Sequence, residues 1–329
     1  MRAIETLAEL RHQVASARKR GERVGFVPTM GALHDGHAAL MRVAHAQCDF
    51  VVASVFVNPT QFGEGEDFER YPRTPARDNE LAESAGVDLL WLPQVSTLYP
   101  EGETTRVTIG AMGDRLCGAH RRGHFNGVAT VVVKLLSAVQ PDVLYLGEKD
   151  FQQKTILQRV IGELLLPVEV RVVPTVRDPD GLALSSRNRY LTPTERTAAL
   201  QLARALDAAQ QAADEGETSL GRIRARTEIT LADHELVRPQ YAEIVDPHTL
   251  EPADVFDRPL TVLVAAHIGD TRLIDNRTIE PVALPTPTTD DEPQSIDAPV
   301  TPPVTPAATA AATPIAAGTQ MSLHQEDDQ

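Results

Sequence analysis

The chain has 329 residues, an ordinary apolar content and a formal net charge of −15. This length favours two domains and is enough to bury a sizeable core. The acidic balance argues against a nucleic-acid partner, because such proteins normally present a basic face. The two cysteines are far apart and have no metal-ligand spacing, which is typical of a reduced, cytoplasmic protein. The N-terminus lacks an apolar leader region and no stretch approaches a membrane span, so we expect no membrane association.

The first twenty residues predict an amphipathic helix that covers one face of a sheet. Ile4, Leu7, Leu10 and Val14 recur at helical spacing, and Arg and Lys occupy much of the rest. A short apolar run over residues 23–27 then predicts a strand.

A turn and a His-x-Gly-His motif follow that strand. A strand, a glycine turn and a helix start form an anion site, because free backbone N–H groups and the helix dipole point at the turn. His34 and His37 lie three residues apart, so both can face a bound phosphate and offset charge that develops on phosphorus. Gly36 allows a nucleotide close to the backbone. Alternatively, such a pair lies on a solvated helix face or binds a metal ion.

Residues 50–57 are almost entirely apolar, as in a parallel strand buried on both faces. The strand leads directly to Asn58 and Gln61. Ligands of open α/β sheets bind beyond the carboxyl ends of the strands, so these amides can hydrogen-bond a polar substrate. The alternative is a turn-capping role for Asn58 and a surface position for Gln61.

The next segment contains a possible metal ligand and a basic loop. Asp78 lies in the first turn of a predicted helix, where it can help to hold Mg²⁺ on a nucleotide or simply complement the helix dipole. Strands are predicted at residues 87–92 and 106–109. Residues 118–127 form either a mobile loop that reaches phosphates through Arg121 or a solvated loop.

Residues 142–146 predict another buried strand, preceded by an apolar helix over residues 128–139. At its carboxyl end, Gly147 permits close backbone approach, Lys149 can reach a phosphate and Asp150 can accept from a ribose hydroxyl. Gln153 lies one turn into the next helix and faces the same edge. Such a tetrapeptide also occurs in ordinary turns.

Residues 168–173 predict a further strand of this half. The segment after it carries Ser185, Ser186 and Arg187, two hydroxyls and a guanidinium that suit a triphosphate; alternatively, the serines cap a helix. Strands and helices alternate from residue 23 to residue 173, which predicts an open parallel α/β sheet. Every polar motif follows a strand and therefore lies at one edge.

The rest of the chain predicts a small α+β domain and a tail. The α+β domain is expected to close over the ligand and keep water from the reaction. Its predicted helices are residues 193–213 and 221–231, its predicted strands are 241–245 and 260–266, and residues 271–276 close the domain. Residues 283–329 are rich in Pro, Thr and Ala with acids, which favours disorder. A solubilising role and a partner-binding role are both open for this tail.

Five motifs together resemble the pantoate–β-alanine ligase (pantothenate synthetase) family. They are Pro-Thr-Met-Gly-Ala-Leu-His-Asp-Gly-His, Phe-Val-Asn-Pro-Thr-Gln-Phe, Tyr-Pro-Arg-Thr, Gly-Glu-Lys-Asp-x-Gln-Gln and Asp-Gly-Leu-Ala-Leu-Ser-Ser-Arg-Asn, in that order. The resemblance implies a Rossmann-like domain of the HxGH nucleotidyltransferase type at residues 1–175 and an α+β lid domain at 176–282. The tail at 283–329 is absent from the family pattern. A cytoplasmic homodimer is also implied.

The resemblance also implies a reaction. Family members use ATP and Mg²⁺ to join (R)-pantoate to β-alanine in the coenzyme A pathway. The pantoate carboxylate attacks the α-phosphorus and expels pyrophosphate. The β-alanine amine then attacks the pantoyl adenylate and releases pantothenate and AMP.

The matching positions imply residue roles. His37 is the family's assigned proton donor, and His34, Lys149 and Arg187 complete the expected catalytic set. The expected ATP-binding residues are Met30, Gly31, Ala32, Leu33, His34, Asp35, Gly36, His37, Gly147, Glu148, Lys149, Asp150, Val176, Leu184, Ser185, Ser186 and Arg187. Gln61, Gln153 and Asn58 are expected at pantoate, and Gln61 also at β-alanine.

Asp78 is the expected metal ligand, with one departure from the family pattern. Members commonly carry an acid just before this aspartate, whereas here the position is Arg77. Mg²⁺ would then be held mainly by ATP oxygens and water.

Two other functions compete with this one. Another adenylyl or cytidylyl transferase of the same superfamily would share the His motif, but Asn58, Gln61 and Gln153 favour pantoate. A non-catalytic nucleotide-binding module is the second, and the intact set of charged and histidine side chains argues against it.

Overall fold

The computed structural model of the chain describes residues 1–282. It contains a six-stranded sheet that is parallel throughout and a three-stranded antiparallel sheet. The predicted α/β fold, with its Rossmann-like parallel sheet and smaller α+β part, is confirmed. The predicted tail at 283–329 lies outside the described residues.

The parallel sheet has the strand order β1-β4-β3-β2-β5-β6. Its strands are β1 Arg2–Ile4, β2 Val24–Thr29, β3 Phe50–Val55, β4 Leu89–Trp91, β5 Val143–Gly147 and β6 Glu169–Val173. The chain reverses its winding direction between β4 and β5, so β2 lies beside both β3 and β5. Such a switch point is where open α/β sheets bind ligands.

Helices cover both faces of this sheet, which explains why β2 and β3 are apolar on both sides. The helices of this half are α1 Leu7–Lys19, α2 Asp35–Gln47, α3 Pro75–Ser84, α4 Val95–Leu98, α5 Cys117–His120, α6 His124–Val139 and α7 Phe151–Glu163. On one face Phe26 and Trp91 pack with residues of α1 and α6. On the other, Val27 and Leu90 pack with residues of α2 and α3. No helix among residues 1–282 is both long and apolar enough to cross a bilayer.

The second sheet is a meander in the order β7-β8-β9. Its strands are β7 Val237–Val245, β8 Leu260–Ile268 and β9 Thr271–Ile279, and its helices are α8 Pro193–Ala198, α9 Leu200–Asp214 and α10 Leu220–Leu231. Alternate residues of β8, including Val262 and Val264, pack against Leu202 and Leu206 of α9 in one core. The boundary predicted at residues 175/176 falls between the two sheets and stays a prediction.

Three predicted elements differ from the structure. The first twenty residues form strand β1 as well as α1, which begins after Thr6 because the Thr6 side chain accepts from the Glu9 N–H. The predicted helix at 193–213 is divided into α8 and α9 at Ala199. The basic segment at 118–127 is largely helical, because α5 ends at His120 and α6 already begins at His124.

The strand predicted at 106–109 is wrong. Its backbone donors are taken by side chains of α6 instead of a neighbouring strand. The Val107 N–H donates to the Thr130 hydroxyl (2.9 Å) and the Ile109 N–H to the Asn126 side-chain oxygen (2.8 Å).

Candidate active site

A cleft of about 850 Å³ opens at the carboxyl edge of the parallel sheet. It brings together most of the residues that the sequence predicted for the site. Those that line it are Met30, His34, Gly36, His37, Asn58, Gln61, Gly147, Lys149, Asp150, Gln153, Val176, Leu184, Ser185, Ser186 and Arg187. Gly31, Ala32, Leu33, Asp35, Glu148 and Asp78 were also predicted and do not line it.

The two histidines of the His-x-Gly-His motif form the N-terminal cap of α2. His34 Nδ1 accepts the Gly36 N–H (3.1 Å), and His37 Nδ1 accepts the His34 N–H (3.3 Å). The ring centroids are 4.1 Å apart. Because Nδ1 of each ring accepts, a neutral ring must carry its proton on Nε2. Each histidine therefore has an Nε2–H donor.

Burial keeps both rings neutral. It lowers the pKa of His34 to about 4, assisted by the positive charge of Lys149. Burial, with neighbouring His34 and Lys149, holds the pKa of His37 well below its ordinary value. At neutral pH the pair therefore supplies two hydrogen-bond donors without positive charge.

Asp78 holds the turn that precedes this cap. Its carboxylate accepts the N–H groups of Ala32 (3.0 Å) and Leu33 (2.8 Å) and the hydroxyl of Thr74 (2.9 Å). Only 2 % of the residue is exposed. Both oxygens are thus engaged by protein donors, which argues against the metal-binding role predicted for Asp78.

The same turn explains the glycine at position 31. Gly31 has a φ of +80°, and a Cβ there would lie 2.8 Å from Val55 Cγ1 and 3.1 Å from the Asp78 carboxylate. Only glycine fits a left-handed backbone in such close contact. Gly31, Ala32 and Leu33 therefore support the site through the turn before α2 without lining the cleft.

Gln61 lies on a second wall of the cleft, held by Asn58, and its amide donates to Met30 Sδ (3.0 Å). The Asn58 amide donates to Gln61 Oε1 (3.0 Å) and to the Gly127 carbonyl (3.2 Å). Its oxygen accepts from the hydroxyls of Tyr99 (2.7 Å) and Thr60 (3.0 Å). Asn58 was predicted at pantoate, but its hydrogen-bonding groups are used within the protein, so it positions Gln61.

The N-terminal end of α6 fixes the main chain of Gln61. A Cβ on Gly127 would lie 2.3 Å from the Thr60 carbonyl and 2.8 Å from Gln61 Cα, so only glycine permits this approach. His124 Nδ1 donates to the Gln61 carbonyl (2.7 Å). Burial, together with the charge of Arg121, lowers the pKa of His124 to about 4.

Two arginines at the cleft are paired with one acidic segment, residues 64–67. Arg187 donates to both carboxylate oxygens of Asp67 at 2.9 Å. Arg121, the predicted phosphate-reaching residue of the basic segment, pairs with Glu66 (Nε to Oε1, 2.7 Å). The sequence analysis did not single out His124, Glu66 or Asp67. The sequence signal for Glu66 and Asp67 was the acidic run at residues 64–67. This run soon follows the polar end of a strand and lies among basic residues of the site.

The Ser-Ser-Arg segment has the capping role that the sequence offered as the alternative, and its role at a triphosphate stays a prediction. Ser185 caps a short 3-10 turn, Ser186–Tyr190, by accepting the Arg187 N–H (3.3 Å). The Ser186 hydroxyl donates to the Ala32 carbonyl (3.1 Å) and joins this segment to the turn before α2. The serines hold Arg187 in place beside the cleft.

A parallel sheet that ends in an HxGH cap, a lysine and a serine-held arginine defines a nucleotide-binding α/β enzyme of the nucleotidyltransferase type. Residues 2–278 match the model of the pantoate-beta-alanine ligase family. The chain belongs to this family and is a ligase.

Individual relatives agree with the family match. The chain is 51% identical over 280 residues to pantothenate synthetase 1 of Bradyrhizobium diazoefficiens, covering 84% of this chain and 97% of the relative. The crystal structure of pantothenate synthetase from Thermus thermophilus superposes with a TM-score of 0.82 at 48% identity, covering 85% of this chain and 100% of that one. The Francisella tularensis ligase, complexed with beta-gamma ATP and beta-alanine, has a TM-score of 0.71 at 33% identity, covering 84% and 97%.

Proposed function

We propose that this cleft binds ATP, (R)-pantoate and β-alanine and forms pantothenate through an enclosed pantoyl adenylate. The observation that carries the proposal is that neutral HxGH donors and the Asn58–Gln61 pair line the same cleft. The complex of the Francisella tularensis relative holds an ATP species and β-alanine, and this supports ATP and β-alanine as two of the three ligands.

The nucleotide side supplies charge stabilisation. The Nε2–H groups of His34 and His37 would donate to phosphate oxygens, and Lys149 and Arg187 would add positive charge. A carboxylate of pantoate attacks the α-phosphorus without a base, and the bond to pyrophosphate breaks. Positioning and electrostatic stabilisation therefore suffice for this step. Burial holds the pKa of His37 well below its ordinary value in the free protein, which favours hydrogen-bond donation from Nε2–H as its part in this step.

The amide side orients the acyl group. Gln61 and Gln153 would hold the hydroxyl and carboxylate oxygens of pantoate, and Gln61 would also contact β-alanine. In the second step the free amine of β-alanine attacks the acyl carbon, the carbon–oxygen bond to AMP breaks, and the amine proton leaves to solvent or phosphate. The adenylate reacts with water unless the cleft excludes it, which the predicted lid at 176–282 would do.

The described residues do not build a protein cage for Mg²⁺. Among residues 1–282 there is no cluster of three His, Cys, Asp or Glu side chains that could hold a metal ion. Mg²⁺ often keeps several waters and binds through substrate phosphates. We therefore assign it to the ATP oxygens and water, as the substitution of Arg77 for the family's acid also suggested.

The family resemblance supports two further parts of the proposal. The enzyme would act in the cytoplasm, where pantothenate feeds coenzyme A synthesis. It would also be a homodimer.

The testing experiment measures AMP release from ATP and Mg²⁺ with (R)-pantoate and β-alanine added singly and together. We expect AMP only with both substrates and ATP–pyrophosphate exchange with pantoate alone. ATP binding without any pantoate-dependent turnover would contradict the proposal and leave a different nucleotidyltransferase or a binding module.

A further inference from the structure

Arg272, in strand β9, lines the cleft from the side of the three-stranded sheet and is half-buried. Its Nε donates to the side-chain oxygen of Gln240 (2.9 Å) and its Nη2 to the sulfur of Cys117 (3.3 Å). Within residues 1–282 no carboxylate is paired with this guanidinium, and Asp270, the acid of the same hairpin, is exposed. The guanidinium is thus held in place by an amide and a sulfur, with further N–H groups left for a ligand.

The other cationic side chains of the cleft differ from Arg272 in pairing or in exposure. Arg121, Arg187 and Lys149 each have a carboxylate of the cleft within 3.6 Å. Arg70 and Arg122 also line the cleft but are exposed, so water and salt screen their charge. A half-buried guanidinium without an acid partner is a ready site for an anion.

One contact of Arg272 leads to Gln153, which is expected at pantoate. Cys117 donates its backbone N–H to the side-chain oxygen of Gln152 (3.0 Å), the residue before Gln153 in the chain. Because the sulfur of Cys117 also contacts the guanidinium, Arg272 is linked to this part of the pantoate site through one residue.

The same cysteine leads to Gln61. Cys117 begins α5, and Arg121 at the C-cap of this helix donates from Nη2 to the Gln61 carbonyl (3.3 Å). About one helical turn, with a rise of about 5.4 Å, separates Cys117 from Arg121. Arg272 therefore lies close to both amides that would hold the acyl group.

The nucleophile of the second step, β-alanine, brings a carboxylate that takes no part in the bond changes. This carboxylate loses water when it enters the cleft, which costs free energy unless hydrogen-bond donors replace the water. Gln61, the residue expected at β-alanine, is uncharged, and its amide already donates to Met30 Sδ. A guanidinium presents N–H donors in a planar fork that matches a carboxylate.

We propose that Arg272 binds the carboxylate of β-alanine and directs its amine at the acyl carbon of the adenylate. The inference rests on the proposed function and adds a specificity residue to its second step. The bond changes are those given for that step: the amine nitrogen bonds to the acyl carbon and the carbon–oxygen bond to AMP breaks. Arg272 stays protonated throughout and contacts only the carboxylate.

Arg272→Gln tests the assignment when two amines are compared. Propylamine has a methyl group in place of the carboxylate of β-alanine, so its attack cannot use Arg272. We expect kcat/KM for β-alanine to fall about tenfold to a hundredfold, and kcat/KM for propylamine to stay within about threefold. ATP–pyrophosphate exchange with pantoate alone should stay within about twofold, because adenylate formation does not involve β-alanine. Arg272→Lys keeps the charge and should retain more β-alanine turnover than Arg272→Gln.

Arg122→Gln is the matched control, since it removes an exposed arginine of the same cleft and should leave the preference for β-alanine over propylamine unchanged. Equal losses for the two amines, or an exchange rate that falls with them, would give Arg272 a structural role and overturn the proposal. Lost exchange with unchanged use of β-alanine would assign Arg272 to the phosphates instead and also overturn it. An equal loss of preference in Arg122→Gln would have the same consequence. Wild-type protein without pantoate-dependent exchange would overturn the proposed function itself.

Discussion

The two walls of the cleft are held in place by different means. The two histidine rings are oriented locally, by backbone N–H groups that donate to them within one turn of α2. Distant Asp78 and Ser186 hold only the turn that precedes the rings. The Gln61 wall is fixed by nearby Asn58 and by three distant residues of the chain, Tyr99, Gly127 and His124. The histidines that would stabilise developing charge are thus positioned by the N-terminus of a helix. The group that recognises the acyl substrate depends on tertiary packing.

The largest expected effect comes from substitutions in the histidine wall. In His37→Asn, the amide oxygen can replace Nδ1 as acceptor of the His34 N–H, but the Nε2–H is lost. We expect kcat to fall on the order of a hundredfold or more, with little change in thermal stability. His37→Gln keeps a donor near the Nε2 position and should retain more activity while losing the cap. If His37→Asn stays active and His37→Gln does not, the cap rather than the donor carries the function.

Gly127→Ala is expected to disrupt the wall that carries Gln61. The added Cβ must push the Thr60–Gln61 backbone away, and an ångström of displacement costs about a hundredfold in kcat/KM for pantoate. ATP binding should stay within about twofold, because the histidine wall is untouched. Gly162→Ala in α7 is the matched control, since a Cβ there meets nothing within 4 Å. Equal losses of ATP binding and pantoate turnover would show that the two walls are not independent.

Asp78→Asn separates a structural role from metal binding. The new NH₂ group faces the N–H of Ala32 or Leu33, so the free energy of unfolding should fall by about 1–3 kcal/mol. The KM for ATP should rise about tenfold, because the turn before α2 loosens. The apparent affinity for Mg²⁺, titrated at fixed ATP, should not change. A selective loss of Mg²⁺ affinity in a stable protein would restore the metal role.

Acidification tests both walls at once, and its expected effect, a loss of stability, is the smallest of these predictions. His34 and His124 have a pKa of about 4 in the folded protein and about 6.5 when unfolded. The unfolded state therefore binds more protons between these values, and stability falls as pH drops from about 6.5 towards 4. From pH 7 to pH 5 we expect a loss of about 1–2 kcal/mol per histidine, measured by urea unfolding.

A single-site control accompanies the titration. His124→Asn should flatten the pH dependence, whereas substitution of exposed His12 should not. Identical slopes for the wild type and His124→Asn would contradict a neutral, buried His124.

The sequence predicted the parallel sheet and most of the cleft because their signals are local. Apolar strands that end in polar motifs can be read directly, and the carboxyl ends of parallel strands share one edge. It misassigned 106–109 because the side chains that satisfy that backbone, Thr130 and Asn126, lie on a distant helix. The sequence offered a turn-capping role for Asn58, which the structure shows, but its bonds to Tyr99 and Gly127 could not be predicted for the same reason. A motif gives the residue at a site, but not which of its hydrogen bonds the protein already uses.

The pair between Arg187 and Asp67 gives the cleft an internal counter-ion. Because both residues belong to one chain, the carboxylate competes for the guanidinium at an effective concentration that is commonly millimolar for short tethers. A small monovalent anion at lower concentration cannot displace it. A triphosphate presents several oxygens to histidine, lysine and arginine together and can do so. With ATP bound as proposed, the site would therefore discriminate by valence before any contact with the base or sugar.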